Sequence, residues 1–509
     1  MKHSSNIHTI AVYDRWFFRM GGGERMVCEL LRSLNSQGYE VTLISQIEID
    51  IEKASREFGI ELQFVKTLLV SDINEEQLGS ISKGYDLFIN ASHLDIVPNQ
   101  AQRGVILPFF PAKQANSMKD KIKLGVVIPL LRALLVYPKR MIGFTGDFLL
   151  SSRSIITFSQ QKLSQVGLVL SVPQFSASFI ESVQFFCGDT QLFPTTRANV
   201  VQKKISYQFE DLDLLRDNGI RIQIPNGVLH ENVRLESIEI PSLRFSLWKI
   251  FSGLFPEASV RLTGGASLNF LDRVSTYQQI WAISLYTQQW IQTYWGKESE
   301  ILFPPVNVHS FSSAAHKSNR IIHIGRFFSG GHSKKQLELV TAFRQMVDEG
   351  LADWELHLVG KPAGESIHQK YFQHIQTLAQ GYPIIFHSDA DTKTLQKLLS
   401  ESKIYWHATG YQEDLTTHPE AAEHFGISTV EAMASGCVPV VYAAGGQKEI
   451  VGNNEGHTWT TIEELKSITK NLIEDPKQLA TLSSQAMVKA RDYDTAQFEV
   501  RLNDLVNKL

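Results

Sequence analysis

The sequence contains few cysteines and no long hydrophobic run near its start. Only three cysteines occur in 509 residues, Cys28, Cys187 and Cys437. They are widely separated, so we expect neither a disulfide framework nor a zinc site. The N-terminal stretch MKHSSNIHTIAVYDRW lacks the apolar core of a signal peptide. Together these absences favour a reducing compartment, and we expect a cytoplasmic location.

The sequence also lacks an excess of basic residues. Lys and Arg number 49 against 53 Asp and Glu, which leaves a formal net charge of −4. Proteins that bind nucleic acid depend on positive charge to neutralise phosphates. The composition gives no reason to expect a nucleic-acid partner, and we predict none.

No cluster of residues has the spacing of a metal site. His407, His418 and His424 do not match a ligand pattern of zinc. The segment 389–391 (Asp-Ala-Asp) immediately precedes Thr392 and an amphipathic helix, so helix capping explains it better than metal binding. We predict that the protein uses neither a metal nor a cofactor.

The first strand, turn and helix indicate a doubly wound α/β domain. Residues 8–14 (HTIAVYD) form an apolar strand, and residues 19–41 contain a glycine-rich turn followed by apolar residues at helical spacing. The run 21–23 (Gly-Gly-Gly) does not match the GxGxxG motif, so a dinucleotide site is only weakly supported. A chain of 509 residues is long enough for several domains.

Between about residues 155 and 270, short strand-like segments replace the helical pattern. Turn sequences such as Asn226-Gly227 separate some of these segments, which predicts antiparallel hairpins. We expect a β-rich insertion that serves as a binding surface, an oligomer contact or a structural addition. The helical pattern returns after residue 277, and Pro304-Pro305 marks the expected interdomain linker.

Residues 119–144 combine an apolar run with basic flanks. The uncharged part, 124–131, is far shorter than the ~20 residues that a spanning helix needs. Two interpretations stay open. The segment is either a helix that faces the protein core and has a solvated basic edge, or a helix that contacts an anionic membrane from the cytoplasmic face.

The stretch 423–451 (EHFGISTVEAMASGCVPVVYAAGGQKEIV) has the pattern of an anion-binding loop. A small-residue loop opens a helix, whose N-terminal N–H groups and dipole favour a phosphate. Glu423 and Glu431 flank this loop and would suit hydroxyl groups rather than phosphates. The alternative is that Ser428 and Glu431 form a capping box and that Glu423 is a solvated loop residue.

Two or three cations lie near the start of another predicted helix. Arg326 ends the strand 320–327, and Lys334 and Lys335 lie at the start of the helix 335–347. Cations beside a helix N-terminus can neutralise a phosphate group. Taken alone, such residues are also typical of solvated surface.

These segments resemble the retaining GT-B glycosyltransferases of glycosyltransferase family 4, which includes mannosyltransferases of lipid-linked oligosaccharide assembly. The residues 423–431 are similar to the Glu-x7-Glu signature of that family. Three further segments occur in the family's order and at its separations. They are 322–343 (IHIGRFFSGGHSKKQLELVTAF), 354–361 (WELHLVGK) and 404–411 (IYWHATGY).

The resemblance implies an α/β fold of the GT-B type, with two Rossmann-like doubly wound domains that face a cleft. The N-terminal domain would span 1–305 and carry the β-rich insertion. The nucleotide-sugar domain would span 306–485, and residues 486–509 would form a helix that packs back toward the first domain.

The resemblance also implies residue roles. Arg326 and Lys334 would stabilise the departing diphosphate, with Lys334 favoured by its spacing to Phe343, and Glu423 would contact the donor sugar. Glu431 would hold the ribose hydroxyls. The full set expected to bind the donor is Gly22, Gly23, Lys335, Gly360, Phe425, Gly426, Ile427, Ser428 and Glu431.

Two positions of the first half bear on the sugar. His93 follows the predicted strand 85–93, so it could lie on the acceptor or sugar side or be a satisfied loop histidine. Many relatives carry a histidine just before the proline that is Pro111 here. This sequence has Phe109 and Phe110 instead, which puts the family's sugar positioning in doubt.

By resemblance, the chain is expected to transfer a hexose such as mannose or glucose from a nucleoside diphosphate sugar to a hydroxyl of a glycan or lipid-linked glycan. The leaving phosphate would take the acceptor proton on the same face, which retains the anomeric configuration without metal. The alternative is a catalytically silent GT-B subunit that binds a sugar nucleotide or acts as a scaffold. A phosphorylase and a sugar-nucleotide epimerase fit the motifs less well.

Overall fold

The computed structural model divides into two compact units. One comprises Met1–Leu107 and Ala112–Gln279, and the other comprises Pro108–Pro111 and Ile280–Leu509. We call them the first and the second unit. The residues that the structure describes are 7–15, 17, 21–46, 49–70, 75–92, 95–113, 122–144, 150–171, 182–197, 204–214, 219–224, 233–255, 270–330, 332–362, 366–388, 390–452 and 454–509.

The first unit begins as a doubly wound α/β domain. Five strands pair in parallel in the order β5-β4-β1-β2-β3. The side chains of β1, β2, β4 and β5 are almost all buried, as expected for a parallel sheet covered by helices, whereas those of the edge strand β3 are largely exposed. The strands are β1 (Thr9–Tyr13), β2 (Glu40–Ser45), β3 (Lys66–Leu69), β4 (Leu87–Asn90) and β5 (Arg103–Ile106), and the helices are α1 (Gly22–Ser36), α2 (Ile51–Phe58) and α3 (Glu75–Ile81).

A pair of antiparallel sheets follows, which confirms the predicted β-rich insertion. One sheet has the order β10-β9-β13-β7-β6, and the other has the order β11-β12-β8-β14. Buried apolar side chains from both sheets form one core. The strands are β6 (Pro138–Phe144), β7 (Leu150–Phe158), β8 (Lys162–Ser171), β9 (Gln184–Cys187), β10 (Thr190–Leu192), β11 (Thr196–Arg197), β12 (Lys204–Asp213), β13 (Ile220–Gln223) and β14 (Arg234–Glu239).

Helices flank this insertion, and they correct two expectations from the sequence. The segment expected to be helical over 119–144 continues as the strand β6, since Pro138 cannot extend a helix. Before β6, the described part of this segment consists of a π-helical turn over Lys123–Val127 and the helix α4 (Ile128–Leu134). Inside the stretch expected to be β-rich lies α5 (Leu243–Leu254), and α6 (Phe270–Val274) begins where that stretch ends.

The second unit contains a six-stranded parallel sheet with the order β19-β18-β17-β20-β21-β22. Two short strands, β15 (Gln279–Ala282) and β16 (Glu300–Ile301), also pair in parallel. The sheet strands are β17 (Arg320–Ile324), β18 (Glu355–Val359), β19 (Ile384–His387), β20 (Ile404–His407), β21 (Val438–Tyr442) and β22 (His457–Trp459). The helices are α7 (Leu285–Trp295), α8 (Gln336–Asp348), α9 (Ser366–Ala379), α10 (Thr392–Glu401), α11 (Ile427–Ala434), α12 (Gln447–Ile450), α13 (Ile462–Glu474), α14 (Pro476–Ala490) and α15 (Thr495–Asn507).

This order places the carboxyl ends of β17, β18 and β20 next to one another. In open parallel sheets, ligands bind beyond the carboxyl ends of the strands, where the connecting loops meet. The predicted diphosphate and sugar residues follow these strands. The two Rossmann-like α/β units confirm the predicted fold class, while the predicted domain boundaries at 305 and 485 stay predictions.

None of the described helices is long and apolar enough to cross a lipid bilayer.

Candidate functional site

The loops that follow β17 and β18 touch each other at two glycines. The N–H of Gly325 donates to the carbonyl of Val359 (2.9 Å). Gly360 has a φ of +151°, and a Cβ at this residue would lie 2.2 Å from the carbonyl oxygen of Gly325. Only glycine fits such a close approach of two backbones. The two loops therefore form a continuous backbone rim at the edge of the sheet.

A lysine on the first of these loops contacts a glutamate that follows β20. Lys334 Nζ lies 2.6 Å from Glu423 Oε2. Both side chains are largely buried, with 20% and 16% of their surface exposed. The pair joins two of the residues that the sequence predicted to be catalytic, although 89 residues separate them in the chain.

A buried histidine and a threonine complete the surroundings of Glu423. His407 Nε2 lies 3.0 Å from Glu423 Oε2, and the hydroxyl of Thr409 donates to the same oxygen at 3.4 Å. Because an ionised carboxylate can only accept, the proton of a neutral His407 sits on Nε2. His407 ends β20, and Thr409 follows two residues later, so the sheet edge fixes both positions.

The charges of this cluster follow from burial and proximity. Burial by itself would raise the pKa of Glu423, but Lys334 and then His407 hold that pKa well below its ordinary value. Burial lowers the pKa of His407, which outweighs the opposite effect of Glu423. At neutral pH the cluster is thus a lysine cation, a carboxylate and a neutral imidazole. Lys334 keeps donor capacity beyond its bond to Glu423, because an ammonium carries three N–H groups.

The helix α11 begins at the anion-binding loop predicted from the sequence. Its N-cap is Gly426, with a φ of +125°. Because Gly426 occupies the N-cap and Ser428 lies inside α11, the capping-box alternative for Ser428 and Glu431 is wrong. Ser428 instead shares a hydrogen bond with the hydroxyl of Tyr405 (2.9 Å). Gly426 has no side chain that could accept from the first N–H groups of α11, as an N-cap side chain usually does.

The backbone around Gly426 is held by a second loop. A Cβ at Gly426 would lie 2.3 Å from Gln447 Nε2, and Thr429 donates to Gln447 Oε1 at 2.9 Å. The N–H of Gly446 donates to the carbonyl of Glu423 at 2.8 Å. These contacts fix both Glu423 and the helix start. Glu431 lies on the same helix and is 5% exposed.

The two adjacent lysines have different partners. Lys335 Nζ lies 2.6 Å from Glu413 Oε1, and its backbone has a φ of +56° just before α8. Lys334 contacts Glu423 instead. The side chain of Arg326 is exposed, and the carbonyls of Gly325 and Arg326 both accept from Gln336 Nε2 at 3.1 Å. These contacts favour Lys334 over Lys335 as the cation beside the predicted sugar-binding carboxylate.

Several other predicted site residues have less specific surroundings. The ring of Phe425 packs against Phe303 (5.8 Å between centroids) and Tyr493 (5.3 Å), so only its backbone could face a donor. Gly22 and Gly23 form the first turn of α1 in the first unit. His93 lies outside the described residues. The donor-binding roles of these residues stay predictions.

An aromatic ring follows β5 at the position where the family resemblance leads us to expect a histidine. The ring of Phe110 stacks on that of His424, with centroids 4.5 Å apart, and also lies 6.0 Å from Tyr286. His424 directly follows Glu423. Phe110 is thus packed one residue away from the carboxylate cluster, within the second unit.

Sequence reasoning missed His407 and Thr409 as members of the cluster. The sequence pattern raised His407 only as a candidate metal ligand, and it assigned no role to Thr409. Both residues lie at the carboxyl end of a predicted strand, the same kind of position that singled out Arg326. This position could have identified them as candidate site residues.

A neighbouring histidine gives a testable pH effect. His323 is completely buried, and its ring Nδ1 lies 2.9 Å from the carbonyl of Trp406. Burial lowers its pKa to about 3. The unfolded chain binds a proton at this residue below about pH 6.5, whereas the folded chain does not until the pH approaches about 3. His323 therefore makes stability fall as the pH drops through this window.

In the variant His323→Gln, the unfolded chain no longer takes up a proton at this residue. We expect the loss in free energy of unfolding between about pH 6.5 and pH 5 to shrink by about 1.4 kcal/mol per pH unit. Denaturant unfolding of wild type and variant at the two pH values measures this slope, whatever the variant does to stability at neutral pH. Equal slopes would contradict the assignment.

Three comparisons bear on the identity of this arrangement. Residues 307–488 match the family model described as glycosyl transferases group 1. The chain is 24% identical over 249 residues to a GDP-Man:Man(3)GlcNAc(2)-PP-Dol alpha-1,2-mannosyltransferase of Caenorhabditis elegans. That alignment covers 44% of this chain and 49% of the relative, so the chain matches about half of the relative's length.

Solved structures show the same fold over nearly the whole chain. Anabaena Alr3699/HepE in complex with UDP and glucose has a TM-score of 0.51 and 13% identity, and the alignment covers 99% of this chain and 100% of that one. Sucrose-phosphate synthase from Thermosynechococcus elongatus has a TM-score of 0.54 and 12% identity, with 98% of each chain covered. Residues 307–488 thus match the glycosyl transferases group 1 model within a chain that has the GT-B fold.

Proposed function

We propose that this protein transfers a sugar from a nucleoside diphosphate sugar to an acceptor hydroxyl with retention of anomeric configuration. The observation that carries the proposal is the contact of Lys334 with Glu423 in the unit that contains the start of α11, whose N-cap is Gly426. The proposed site combines a cation, helix N–H groups and a carboxylate. The first two suit a diphosphate, and the third suits a hydroxyl of the sugar attached to it.

The cationic part would stabilise the leaving group. As the bond between the anomeric carbon and the diphosphate oxygen breaks, negative charge accumulates on the diphosphate. Lys334, Arg326 and the N–H groups at the start of α11 would receive that charge in a site already organised for it. Because these groups supply the positive charge, the proposed reaction does not require a metal ion.

The acidic part would bind hydroxyl groups on either side of the diphosphate. Glu423 would accept from a hydroxyl of the donor sugar, and Glu431 from the ribose. His407 and Thr409 both contact the Oε2 atom of Glu423 and so fix the direction of its carboxylate. In this scheme neither glutamate attacks the sugar. The departing phosphate takes the acceptor proton as the acceptor oxygen bonds to the anomeric carbon on the same face.

The comparisons support a hexose donor and a glycan acceptor. The Caenorhabditis elegans relative is a GDP-Man:Man(3)GlcNAc(2)-PP-Dol alpha-1,2-mannosyltransferase, and the Anabaena structures contain UDP, glucose or UDP-glucose. We propose a donor from the same class, a nucleoside diphosphate bound to mannose or glucose. For the acceptor we propose a hydroxyl of a glycan or lipid-linked glycan at the cytoplasmic side of a membrane.

A panel of nucleotide sugars tests this proposal. The donor should raise the apparent melting temperature, because a ligand that binds only the folded state stabilises it in proportion to RT ln(1 + [L]/Kd). Mass spectrometry with candidate acceptors then detects transfer, and NMR of the product reports its anomeric configuration. Binding without transfer to any acceptor would instead favour the catalytically silent subunit. A product of inverted configuration would contradict the retaining scheme.

The two glutamates should differ in their effect on nucleotide binding. We expect Glu431→Gln to weaken binding of the nucleoside diphosphate by about tenfold or more, which corresponds to one lost hydrogen bond to a charged group. Glu423→Gln should change that affinity less, since its proposed partner is the sugar, which the nucleoside diphosphate lacks.

Calorimetry with the nucleoside diphosphate alone measures both affinities. Glu420→Gln is a suitable control, because Glu420 is an exposed glutamate of the same unit. The opposite order, with Glu423→Gln the more damaging change, would reverse the two proposed roles.

A further inference from the structure

Two helices of the first unit pack against each other beside the β-rich insertion. The guanidinium of Arg244 on α5 donates to the carbonyl of Leu134 at the end of α4 (2.6 Å) and to that of Ala133. Beneath them, buried Ile128 and Tyr137 form a small core on which Trp248 packs. The contacts join both ends of the insertion, so the two helices hold a fixed relation within this unit.

The outer face of this helix pair, with the residues that adjoin each helix, is apolar and exposed. It contains ten of the seventeen large hydrophobic side chains that are exposed among the described residues, although it makes up a small part of the chain. A cluster of this size on a soluble surface marks an interaction site. The ten residues are Ile122, Val126, Val127, Leu130, Leu134, Leu243, Leu247, Ile250, Leu254 and Phe255. We call this face the paired-helix surface.

Within the two segments that carry the paired-helix surface, all charged residues have one sign. The segments 122–144 and 241–255 contain six Lys and Arg residues and no Asp or Glu, in a chain whose formal net charge is −4. Of the basic residues, Arg132, Lys139 and Lys249 are exposed. The surface therefore combines apolar side chains with a local excess of positive charge.

This combination fits an anionic lipid surface better than a second copy of the chain. In a symmetric dimer, each copy would bring the same basic segments to the interface, and like charges would oppose each other. An anionic bilayer presents the opposite charge together with acyl chains that accept apolar side chains. Basic amphipathic helices bind such membranes by both interactions at once.

We propose that the first unit binds the surface of an anionic lipid bilayer through the paired-helix surface. The apolar side chains of α4 and α5 enter the boundary between head groups and acyl chains, and the flanking basic residues contact anionic head groups. This inference extends the membrane interpretation of residues 119–144 with a second helix, which the sequence pattern had placed in the β-rich insertion. It goes beyond the proposed transferase activity and does not depend on it.

Vesicle flotation of the full chain tests the proposal. The probes are vesicles of phosphatidylcholine alone and of phosphatidylcholine mixed with phosphatidylglycerol, without donor or acceptor. We expect binding to the anionic vesicles that weakens as salt screens the head groups. In the variant Leu130→Glu/Leu247→Glu, binding should fall at least about tenfold, because two apolar side chains are replaced by anions. Lys139→Glu/Lys249→Glu should lose the preference for anionic vesicles.

The matched control is Val488→Glu/Val500→Glu. Both valines are 62% exposed in the second unit, so this variant makes the same kind of change away from the paired-helix surface and should bind like wild type. Circular dichroism confirms that each variant is folded. Absence of vesicle binding by wild type would overturn the proposal, as would equal binding by the Leu130→Glu/Leu247→Glu variant. A dimer in light scattering that this variant abolishes, without vesicle binding, would assign the surface to a second copy instead. If the protein transfers a sugar but does not bind vesicles, only this inference is contradicted. If it binds vesicles but lacks transferase activity, only the proposed function is contradicted.

Discussion

Replacing Lys334 by Ala is expected to lower turnover by at least about 10²-fold, or about 2.7 kcal/mol of transition-state stabilisation. Lys334 is the cation in direct contact with Glu423. Its charge matters most when the diphosphate departs, so the loss should appear in turnover as well as in donor affinity. Steady-state kinetics with the donor identified by the nucleotide-sugar panel measures both quantities.

Two further variants make this prediction decisive. Arg326→Ala should show a loss of similar size, and because the Arg326 side chain is exposed, its removal leaves the fold intact. Lys466→Ala removes a lysine that pairs with Glu349 elsewhere in the second unit (2.5 Å) and should keep normal turnover. Near-normal turnover in both Lys334→Ala and Arg326→Ala would refute the assignment of these cations to the leaving group.

Gly445→Ala is expected to damage the site through the backbone. Gly445 has a φ of +62°, and a Cβ there would lie 2.1 Å from the carbonyl oxygen of Glu423. The backbone of one loop must move, and the movement displaces the carboxylate that Lys334 contacts. Since a misplacement of about 1 Å can cost about 10²-fold in rate, we expect turnover to fall by more than about tenfold.

The control for this variant is another glycine with the same backbone conformation. Gly296 also has a φ of +62°, but a Cβ at this position would meet nothing within 4 Å. Both variants lose about 1 kcal/mol of stability from the strained conformation, and Gly445→Ala should lose about 1–3 kcal/mol more. Denaturant unfolding and kinetics of the two variants separate these contributions. Equal stability and equal turnover would show that the loop at Gly445 does not position Glu423.

The sequence predicted those parts of the fold and site that depend on local pattern. The strand before Arg326, the loop that opens α11 and the β-rich insertion were all found, because period, glycine positions and turn sequences are local properties. The resemblance to known enzymes then selected Lys334, Glu423 and Glu431 among many charged residues.

Features that depend on distant contacts could not be predicted in the same way. Lys334 and Lys335 are adjacent and chemically identical, and only the folded chain gives them different partners, Glu423 and Glu413. Likewise, Ser428 and Glu431 have the spacing of a capping box, but the backbone places Gly426 at the N-cap. The apolar residues of α5 suit a strand or a helix, and tertiary packing decided between them.

The most direct test of the central claim is a crystal structure of the protein with a bound nucleoside diphosphate. We predict that the diphosphate lies within hydrogen-bonding distance of Lys334 Nζ, the Arg326 guanidinium and the N–H groups at the start of α11. The ribose hydroxyls should donate to Glu431. A nucleotide bound elsewhere, or one that touches none of these residues, would contradict it.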